Sequence, residues 1–573
     1  MATYYVRADG TASAVNAVGP RTSASDCMSL ATCNSTAYSP GDLIYICDDG
    51  GVYRGQLDLD YSGDSDDDLV FRGLGSPQIK ASVVVTGWTA SGTAGVYKAT
   101  VTTKPQQIWI DGTYGDRRDV ANEKGDGAET LDNEYDWYWD GTGAYYDEEA
   151  NTLYLYAPSD PDSEYTEIEA GSELYAIDIS DRSYIVIDNI TASHGNERSI
   201  KGYNCNHFTI KNCTVEWAWW DGFETNSSTS WSGALVEDNL FRYNGVQGPS
   251  LNCGGTGGDT MSDIIVRRNV VIESGLHQQA NGSWHYQQDY PGGIKFWCST
   301  GGSYGENIEV YDNECYGGGP GAAGVWFDRV GNDGTNPNYV HHNYFHDNGG
   351  CGIFVEVSDY VISYSNVVYN SCNWRGTGGP WSTTFLTVHT RYQPPTNSLT
   401  SNGNKFYNNV CYADAGSAPR WGIVIMATDG TSGEGNGVEL VDNIFMNNIV
   451  VGWTDRAIYA DAGGDNDGSM GSGNTFWYNC FGPEDTDFIY WGGTSYSTYD
   501  TWEAAATVIT DSGTTHSIEE DPGLEDPDND QFWLGSESPC IGTGVDLGSP
   551  YNSGLMSTTT WPDGVVTGDR DDY

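Results

Sequence analysis

Two acidic residues stand at matching positions in similar short segments of the chain. Asp328 ends the segment GVWFD, and Glu356 ends the segment GIFVE 28 residues later. A third such segment, GIKFW, ends at Trp297, 31 residues before Asp328. Two carboxyl groups close together in space can cleave a glycosidic bond, because one attacks the anomeric carbon while the other transfers a proton. The pattern therefore predicts a sugar-cleaving site, provided that the segments are neighbours in the fold.

A spacing of about 30 residues is what one turn of a β-solenoid consumes, so the three segments are predicted to stack as neighbouring strands. Side chains alternate between the two faces of a strand. The residues predicted to point inward are Ile294, Phe296, Val325, Phe327, Ile353 and Val355. Two outward columns remain, one of Trp297, Asp328 and Glu356, and one of Lys295, Trp326 and Phe354.

The predicted stacking sets the distance between the two acids. Adjacent strands in a parallel sheet lie about 4.8 Å apart, which predicts roughly 5 Å between the carboxyl groups of Asp328 and Glu356. Retaining enzymes have this separation, with Asp328 or Glu356 as nucleophile and the other as acid and base. Two anions this close do not both ionise easily, so one pKa should rise. In a chain with 80 acidic residues, the alternative is that both side chains merely solvate an outward face.

The same alternation places further side chains beside the column. The segment FLTVHTR puts His389 next to Glu356 and carries Arg391 two residues later, and both are candidates to bind substrate. Trp297 and Trp326 are expected to expose ring faces on which a sugar could stack.

A second group of candidates lies upstream. Asp221 and Glu224 are close together in the segment WWDGFE, before a long loop that contains His285. Loops on one face of a solenoid commonly form the walls of a cleft. These three residues are predicted to bind substrate, together with Lys295, which could neutralise a carboxylate.

Two other functions are compatible with these residues. In a polysaccharide lyase, Lys295, His389 or Arg391 would abstract a proton beside a uronate, with or without calcium. A non-catalytic glycan-binding spike is the third possibility, because β-helices also serve that purpose. Ultraviolet-absorbing products would identify the lyase, and trimerisation without sugar release would identify the spike.

A row of asparagines predicts the elements that position the site. Short β segments end at Asn189, Asn212, Asn239, Asn269, Asn313, Asn343, Asn366, Asn409 and Asn443. Asparagine tolerates the left-handed turn conformation, and its amide can bond to the same residue one coil above. The chain is therefore predicted to be all-β and built as a parallel β-helix.

The chain divides into four predicted parts. Residues 1–87 are expected to form an N-terminal cap and the first coils, and residues 173–545 the main helix with the catalytic face. Between them, in residues 88–172, the asparagine corners vanish and alternating strands are joined by Asp-Gly turns, which predicts an inserted small antiparallel, sandwich-like β domain. Residues 546–573 are a polar tail.

Charge and composition restrict the partners. The net charge of −55, from 25 basic and 80 acidic residues, disfavours nucleic acid, anionic membranes and polyanionic polysaccharides. An oligosaccharide or polysaccharide is the expected partner. The strand-like start of the chain is typical of a mature secreted protein and equally of a viral structural protein. An extracellular location is expected.

Cysteines and acidic loops give weaker signals. The 13 cysteines are an odd number, and Cys27 and Cys33 are close enough for a small loop disulfide. No cofactor is expected to be required. The acidic loops at residues 64–68, 461–467 and 526–530 carry oxygen ligands suited to a structural Ca²⁺.

The segments PGDLIYI, GGIKFW, GVWFD and GIFVEVS, and the closing DPGLEDPDNDQFWLGSESPCI, resemble those of right-handed parallel β-helix proteins that act on carbohydrates. WFD followed by FVEV is most similar to glycoside hydrolase family 120, whose known members are β-xylosidases with a β-sandwich interrupting the helix. The resemblance implies that Asp328 is the nucleophile and Glu356 the acid and base, acting on a xylan-type neutral glycan. Arg329 departs from the family pattern, which has an aromatic residue after the aspartate.

Overall fold

The computed structural model describes residues 1–19, 21–117, 131–140, 151–254, 258–275, 291–298, 304–319, 321–371, 384–392, 400–414, 419–429, 440–461, 473–505 and 517–551. Within these ranges, three long sheets of 13 strands each, named A, B and C, form the main body of the fold. Each coil visits the sheets in the order A, B and C. Neighbouring strands in the three sheets are parallel, except at the final strand of sheet C, which is antiparallel. The predicted all-β parallel β-helix is confirmed.

The strands of the three sheets are short and evenly repeated. Sheet A contains Thr3–Val6, Leu43–Cys47, Leu69–Leu74, Ser183–Asp188, Asn206–Lys211, Trp231–Glu237, Thr260–Arg267, Tyr304–Tyr311, Asn338–His341, Val361–Tyr364, Lys405–Tyr407, Ile444–Met446 and Thr475–Trp477. Sheet B contains Tyr53–Arg54, Gln78–Lys80, Thr191–Ser193, Thr214–Glu216, Leu240–Arg242, Val270–Ile272, Glu314–Tyr316, Tyr344–His346, Val367–Tyr369, Val410–Tyr412, Ile449–Val450, Asn479–Cys480 and Ser517–Ile518. Sheet C contains Leu57–Asp58, Tyr175–Asp178, Arg198–Tyr203, Phe223–Asn226, Pro249–Cys253, Gly292–Cys298, Ala323–Asp328, Ile353–Glu356, Thr384–Tyr392, Trp421–Asp429, Arg456–Asp461, Ile489–Trp491 and Thr494–Tyr496.

The helices of the described chain are short. The α-helices are Leu30–Asn34, Pro161–Glu164 and Tyr499–Ala505, and the 3₁₀-helices are Ala24–Asp26, Asp48–Gly50 and Pro527–Asn529. Side chains from all three sheets fill the interior of the solenoid. The six residues predicted to point inward are fully buried in one apolar core. Like side chains stack from coil to coil, as Phe296 does on Phe327 with ring centroids 4.9 Å apart.

An asparagine ladder stiffens the turn between sheets A and B. It consists of Asn239, Asn269, Asn313, Asn343, Asn366, Asn409, Asn448 and Asn479. Each Nδ2 donates to the Oδ1 of the next residue at 2.9–3.0 Å. Because these amides are buried, their mutual bonds satisfy groups that would otherwise destabilise the core.

Three of the predicted corners differ from the ladder. Asn189 and Asn212 are themselves left-handed, with φ of 58° and 54°, and occupy the position before the ladder residue. Asn443 belongs to a second ladder, donating to Asn474 and accepting from Asn404. The sequence pattern did not distinguish the left-handed turn position from the ladder positions. Asparagine is favoured at both, for its left-handed conformation at the first and for its buried amide at the second.

An insertion interrupts the second coil, between a sheet B strand and the sheet C strand Tyr175–Asp178. One of its sheets contains Ser82–Val84, Ile108–Ile110, Thr113–Tyr114 and Ile168–Gly171, and the other contains Thr89–Ala90, Val96–Thr100, Asp116–Arg117, Asp136–Asp140 and Thr152–Tyr156. All these pairings are antiparallel except that of Asp116–Arg117 with Asp136–Asp140. The insertion has its own apolar core around Trp137. Its first strand, Ser82–Val84, begins before residue 88, where the inserted domain was predicted to start.

The chain near both termini contains short helices and strands. The 12 cysteines in the described ranges are all free, so the predicted disulfide between Cys27 and Cys33 is wrong. Cys33 instead faces the core on the helix Leu30–Asn34 and accepts a hydrogen bond from Tyr38. Near the C-terminus, the antiparallel strands Leu524–Asp526 and Gln531–Leu534 pair with each other. Of the predicted tail, residues 552–573 lie outside the described residues.

Candidate active site

Three neighbouring strands of sheet C carry the predicted column of outward residues. Trp297 is the register partner of Asp328, and Asp328 is the register partner of Glu356. Strands in a parallel sheet lie about 4.8 Å apart, and side chains in register point to the same face. The predicted registry is therefore confirmed, and it places the two carboxyl groups one coil apart on one face.

The second predicted column is also in register. Lys295 is opposite Trp326, and Trp326 is opposite Phe354. The Lys295 Nζ lies 3.5 Å from the ring centroid of Trp326, and the Trp326 and Phe354 rings stack at 5.1 Å. Both faces of Trp326 are thus covered by its own column, and the side chain is only 3% exposed. The prediction that Trp326 exposes a face to a sugar is wrong, because coil-to-coil stacking fills that space.

Lys295 links the two columns. Its Nζ is 3.3 Å from Asp328 Oδ2, and both side chains are buried. At this distance in a buried site the ammonium stabilises negative charge on Asp328. The lysine also contacts the electron-rich face of Trp326, which further fixes its position.

His389 extends the first column on the C-terminal side, as predicted. It is the register partner of Glu356, and its Nδ1 lies 3.5 Å from Glu356 Oε1. Arg391 lies in the same strand, opposite Thr428, but its side chain lies outside the described part of the chain. His285 also lies outside the described residues.

Asp328 and Glu356 are not solvated surface acids. Each is 4% exposed, although both point away from the apolar core of the solenoid. Burying an ionisable group without partners costs several kcal/mol, so acids are seldom placed this way only for solubility. The alternative interpretation of a solvated outward face is therefore excluded by the burial.

A cavity of about 560 Å³ opens beside Asp328 and extends over the preceding coils. Its walls are Glu197, Arg198, Trp220, Asp221, Glu224, Val246, Gln247, Ser250, Asn252, Lys295, Trp297, Asp328 and Arg329. The volume lies within the range of about 300–1,000 Å³ that is typical of small-ligand sites. The predicted candidates Asp221, Glu224, Lys295 and Trp297 thus meet Asp328 at one cavity.

The far end of the cavity is an ion network centred on Glu224. Arg198 Nε lies 2.9 Å from Glu224 Oε2, and Lys201 also binds this carboxylate. Asn252 Nδ2 donates to the other oxygen, Oε1, at 3.4 Å. Both oxygens of Glu224 are therefore held by neighbouring side chains.

Asp221 stands next to this network in a constrained loop. Trp220 N donates to Glu197 O at 2.7 Å, and Gly222 N donates to Gln247 O at 2.9 Å, which fixes the backbone on both sides of Asp221. Burial and the Glu224 carboxylate raise the pKa of Asp221, against the opposing effect of nearby cations such as Arg198. Perturbed acids of this kind are concentrated at functional sites.

Several residues of the cavity wall were missed by the sequence analysis. They are Glu197, Arg198, Trp220, Gln247, Ser250 and Asn252, and Lys201, which binds the wall residue Glu224, was missed as well. Ser250 and Asn252 are the register partners of Lys295 and Trp297, so extending the two columns one coil toward the N-terminus would have found them. Nothing in the sequence pattern indicated Arg198 and Lys201, because both act through contacts with Glu224 on the next coil.

Other predicted features are not visible in the described part of the chain. No cluster of three or more potential metal-ligating side chains occurs among the described residues, and calcium remains an expectation. No helix in the described ranges has the length and apolar character needed to cross a membrane.

The fold and the cavity define a right-handed parallel β-helix protein with an acid-lined cavity on one sheet. A family described as "Right handed beta helix region" matches residues 137–304. No curated protein sequence matches the chain.

Solved structures share the fold at low sequence identity. A structure described as "Glycoside hydrolase" is 13% identical with a TM-score of 0.51, and the alignment covers 77% of this chain and 99% of that one. The complex of XylC with xylose is 13% identical with a TM-score of 0.46, covering 88% of this chain and 78% of that one. Pectate lyase Pel9A is 12% identical with a TM-score of 0.35, covering 97% and 94%. These similarities concern the fold.

Proposed function

We propose that this protein is a retaining glycoside hydrolase that cleaves a neutral, xylan-type glycan or its oligosaccharides. The observation that carries the proposal is the direct register of Asp328 and Glu356 on adjacent strands, next to a cavity of ligand size. One inter-strand step matches the separation of about 5–5.5 Å between the two carboxyl groups of retaining enzymes. The resemblance of WFD and FVEV to glycoside hydrolase family 120 supports the same two residues.

In the proposed mechanism, Asp328 is the nucleophile. Lys295, 3.3 Å from Asp328 Oδ2, orients that carboxylate for attack. Asp328 attacks the anomeric carbon while Glu356 donates a proton to the departing glycosidic oxygen. A covalent glycosyl–Asp328 ester forms, and Glu356 then removes a proton from the water that hydrolyses the ester.

His389 is proposed to position Glu356, since its ring nitrogen lies 3.5 Å from the carboxylate. Trp297, which is partly exposed and lines the cavity, is proposed to stack on a sugar ring. Arg391 and His285 remain candidates for substrate binding.

The lyase alternative is less well supported. A lyase needs a free basic group and a cation for the uronate carboxylate. Arg198 and Lys201 are engaged by Glu224, and Lys295 is engaged by Asp328. Arg198, Lys201 and Lys295 each lie next to a carboxylate of the protein, which disfavours an anionic substrate, in agreement with the acidic surface.

The test is hydrolysis of aryl β-xylosides and xylo-oligosaccharides by Asp328→Asn and Glu356→Gln. Each variant should lose at least about 100-fold in kcat, the lower end of the contribution of a general acid or base. The matched control is Asp455→Asn, which changes an exposed carboxylate paired with Arg420. Product analysis by NMR should show the retained anomer first. Full activity in both variants, or unsaturated products from uronate polymers, would contradict the proposal.

A further inference from the structure

The cavity lies on one side of the catalytic pair. Asp328 and Arg329 line its C-terminal end, and the other residues of its wall come from earlier coils, which carry Asp221, Glu224 and Asn252. Glu356 and His389 follow Asp328 in the opposite direction along sheet C. Under the proposed mechanism, the leaving group is on the side of the acid, Glu356. The glycone, which becomes attached to Asp328, must then occupy the other side.

One carboxyl group in this cavity has no hydrogen-bonding partner in the described part of the chain. Asp221 is only 6% exposed and lines the cavity. Its nearest cation is Arg198, whose Nε is 3.9 Å from Asp221 Oδ2 but only 2.9 Å from Glu224. No described residue donates a hydrogen bond to the Asp221 carboxylate. The neighbouring Glu224 instead contacts two cations, Arg198 and Lys201, and accepts a hydrogen bond from the amide of Asn252.

A buried carboxyl group without a partner is costly, and binding becomes favourable when a ligand supplies that partner. The adjacent Glu224 makes a second anion an unsuitable ligand. A neutral hydroxyl group fits, because it can donate to the carboxylate or accept from the protonated acid. The raised pKa of Asp221 agrees with a site that is not already satisfied by protein groups.

We propose that the cavity is the glycone subsite and that Asp221 is its recognition residue, binding a hydroxyl group of a neutral sugar ring. This inference rests on the proposed function, because the acid Glu356 defines the leaving-group side. Glu224 is a positioning residue that holds Arg198, Lys201 and Asn252 in place around the subsite. Trp220 and Trp297, which also line the cavity, supply apolar faces for the ring.

The first experiment measures sugar binding without turnover. Xylose and xylobiose are titrated calorimetrically into Asp328→Asn, alone and combined with Asp221→Ala, Asp221→Asn or His389→Ala. Asp221→Ala should weaken xylose binding by about 10- to 100-fold, the range for a lost hydrogen bond to a charged group. Asp221→Asn should weaken it less, because the amide keeps a polar group in place. His389→Ala, on the leaving-group side, should change xylose affinity by less than about threefold.

The second experiment uses the active protein and a series of aryl β-xylosides with different leaving groups. Asp221→Ala should raise KM by one common factor across the series and change kcat by less than about threefold. A structural defect would lower kcat as well, and circular dichroism of the variants provides a check on folding.

The outcomes separate the two proposals. If Asp328→Asn and Glu356→Gln are inactive but Asp221→Ala binds xylose normally, the glycone assignment is overturned and the hydrolase proposal survives. Absence of xylose binding to Asp328→Asn, or equal weakening by His389→Ala and Asp221→Ala, also overturns the glycone assignment. Activity of the Asp328 and Glu356 variants overturns the hydrolase proposal itself.

Discussion

Two buried carboxyl groups of this protein, Glu169 and Asp221, have opposite surroundings. Glu169, in the insertion, accepts hydrogen bonds from Arg54 and Ser82 at Oε1 and from Lys80 at Oε2. Asp221 accepts none from the described residues, and Arg198 approaches it only to 3.9 Å. Both side chains are more than nine-tenths buried. Burial alone therefore does not identify a functional acid.

The two carboxyl groups differ in how many hydrogen bonds they accept from the described residues of the protein. Glu169 joins the insertion to the first coils, because its partners Arg54 and Lys80 belong to the solenoid. His194 and Trp109 pack at the same junction with ring centroids 3.9 Å apart, and burial lowers the pKa of His194 to about 3, so this histidine is neutral there. Every charge at the junction has a partner, which suits a structural joint. The cavity keeps one acid free for a ligand.

The largest expected effect is on stability at the structural joint. Glu169→Gln removes the shared anion and leaves Arg54 and Lys80 uncompensated, so it should lower the free energy of unfolding by about 3 kcal/mol. The measurement is urea unfolding followed by tryptophan fluorescence. Glu167→Gln is the matched control, because Glu167 binds the same Arg54 but is 40% exposed. If Glu169→Gln lowers the free energy of unfolding no more than Glu167→Gln does, Glu169 does not hold the insertion to the first coils.

A smaller effect of opposite sign is expected at the cavity. The pKa of Asp221 is raised in the folded state, so its contribution to stability is present below the unfolded-state pKa and is lost as pH rises through the folded-state pKa. Asp221→Asn should therefore increase the free energy of unfolding at pH 8, by on the order of 2 kcal/mol, since a tenfold change in a proton-binding constant corresponds to about 1.4 kcal/mol. At pH 4 the two proteins should be nearly equal.

Urea midpoints for the wild type and Asp221→Asn at pH 4, 6 and 8 test this expectation. A difference that is the same at all three pH values would mean that Asp221 does not titrate abnormally. It would also remove the contrast with Glu169.

The smallest effect is expected at an exposed ion pair. Asp455 and Arg420 lie 2.6 Å apart with side chains 39% and 53% exposed. Asp455→Asn should change the free energy of unfolding by less than about 1 kcal/mol, because solvent screens exposed pairs. The same urea titration measures it. If Asp455→Asn lowers the free energy of unfolding as much as Glu169→Gln does, burial is not what makes the Glu169 ion pairs stabilising.

Much of the solenoid could be predicted from the sequence. The repeat of apolar and outward residues near Trp297, Asp328 and Glu356 gave the coil length, the strand register and the inward face. The asparagine row gave the β-helix, although it did not distinguish the left-handed position of Asn212 from the ladder position of Asn239. These features are local in each coil and repeat along the chain, so a pattern of neighbours reveals them.

The exposure and the partners of each side chain could be read only from the tertiary structure. Alternation placed Trp326 on the outward face, but only the stacked coils show that Lys295 and Phe354 cover its ring. The segment WWDGFE suggested both Asp221 and Glu224, but not that Glu224 takes the cations while Asp221 remains without a described hydrogen-bond donor.

The sequence by itself thus determined the coil, the column and the catalytic candidates, because strand periodicity and register are set by the order of residues within each coil. The tertiary structure decided which acids are satisfied, which aromatic faces are covered and where the cavity lies. Those properties arise from long side chains, such as Arg198 and Lys201, that reach across coils and compete for the same partners. Burial strengthens that competition, because a group withdrawn from water must find its partner within the protein.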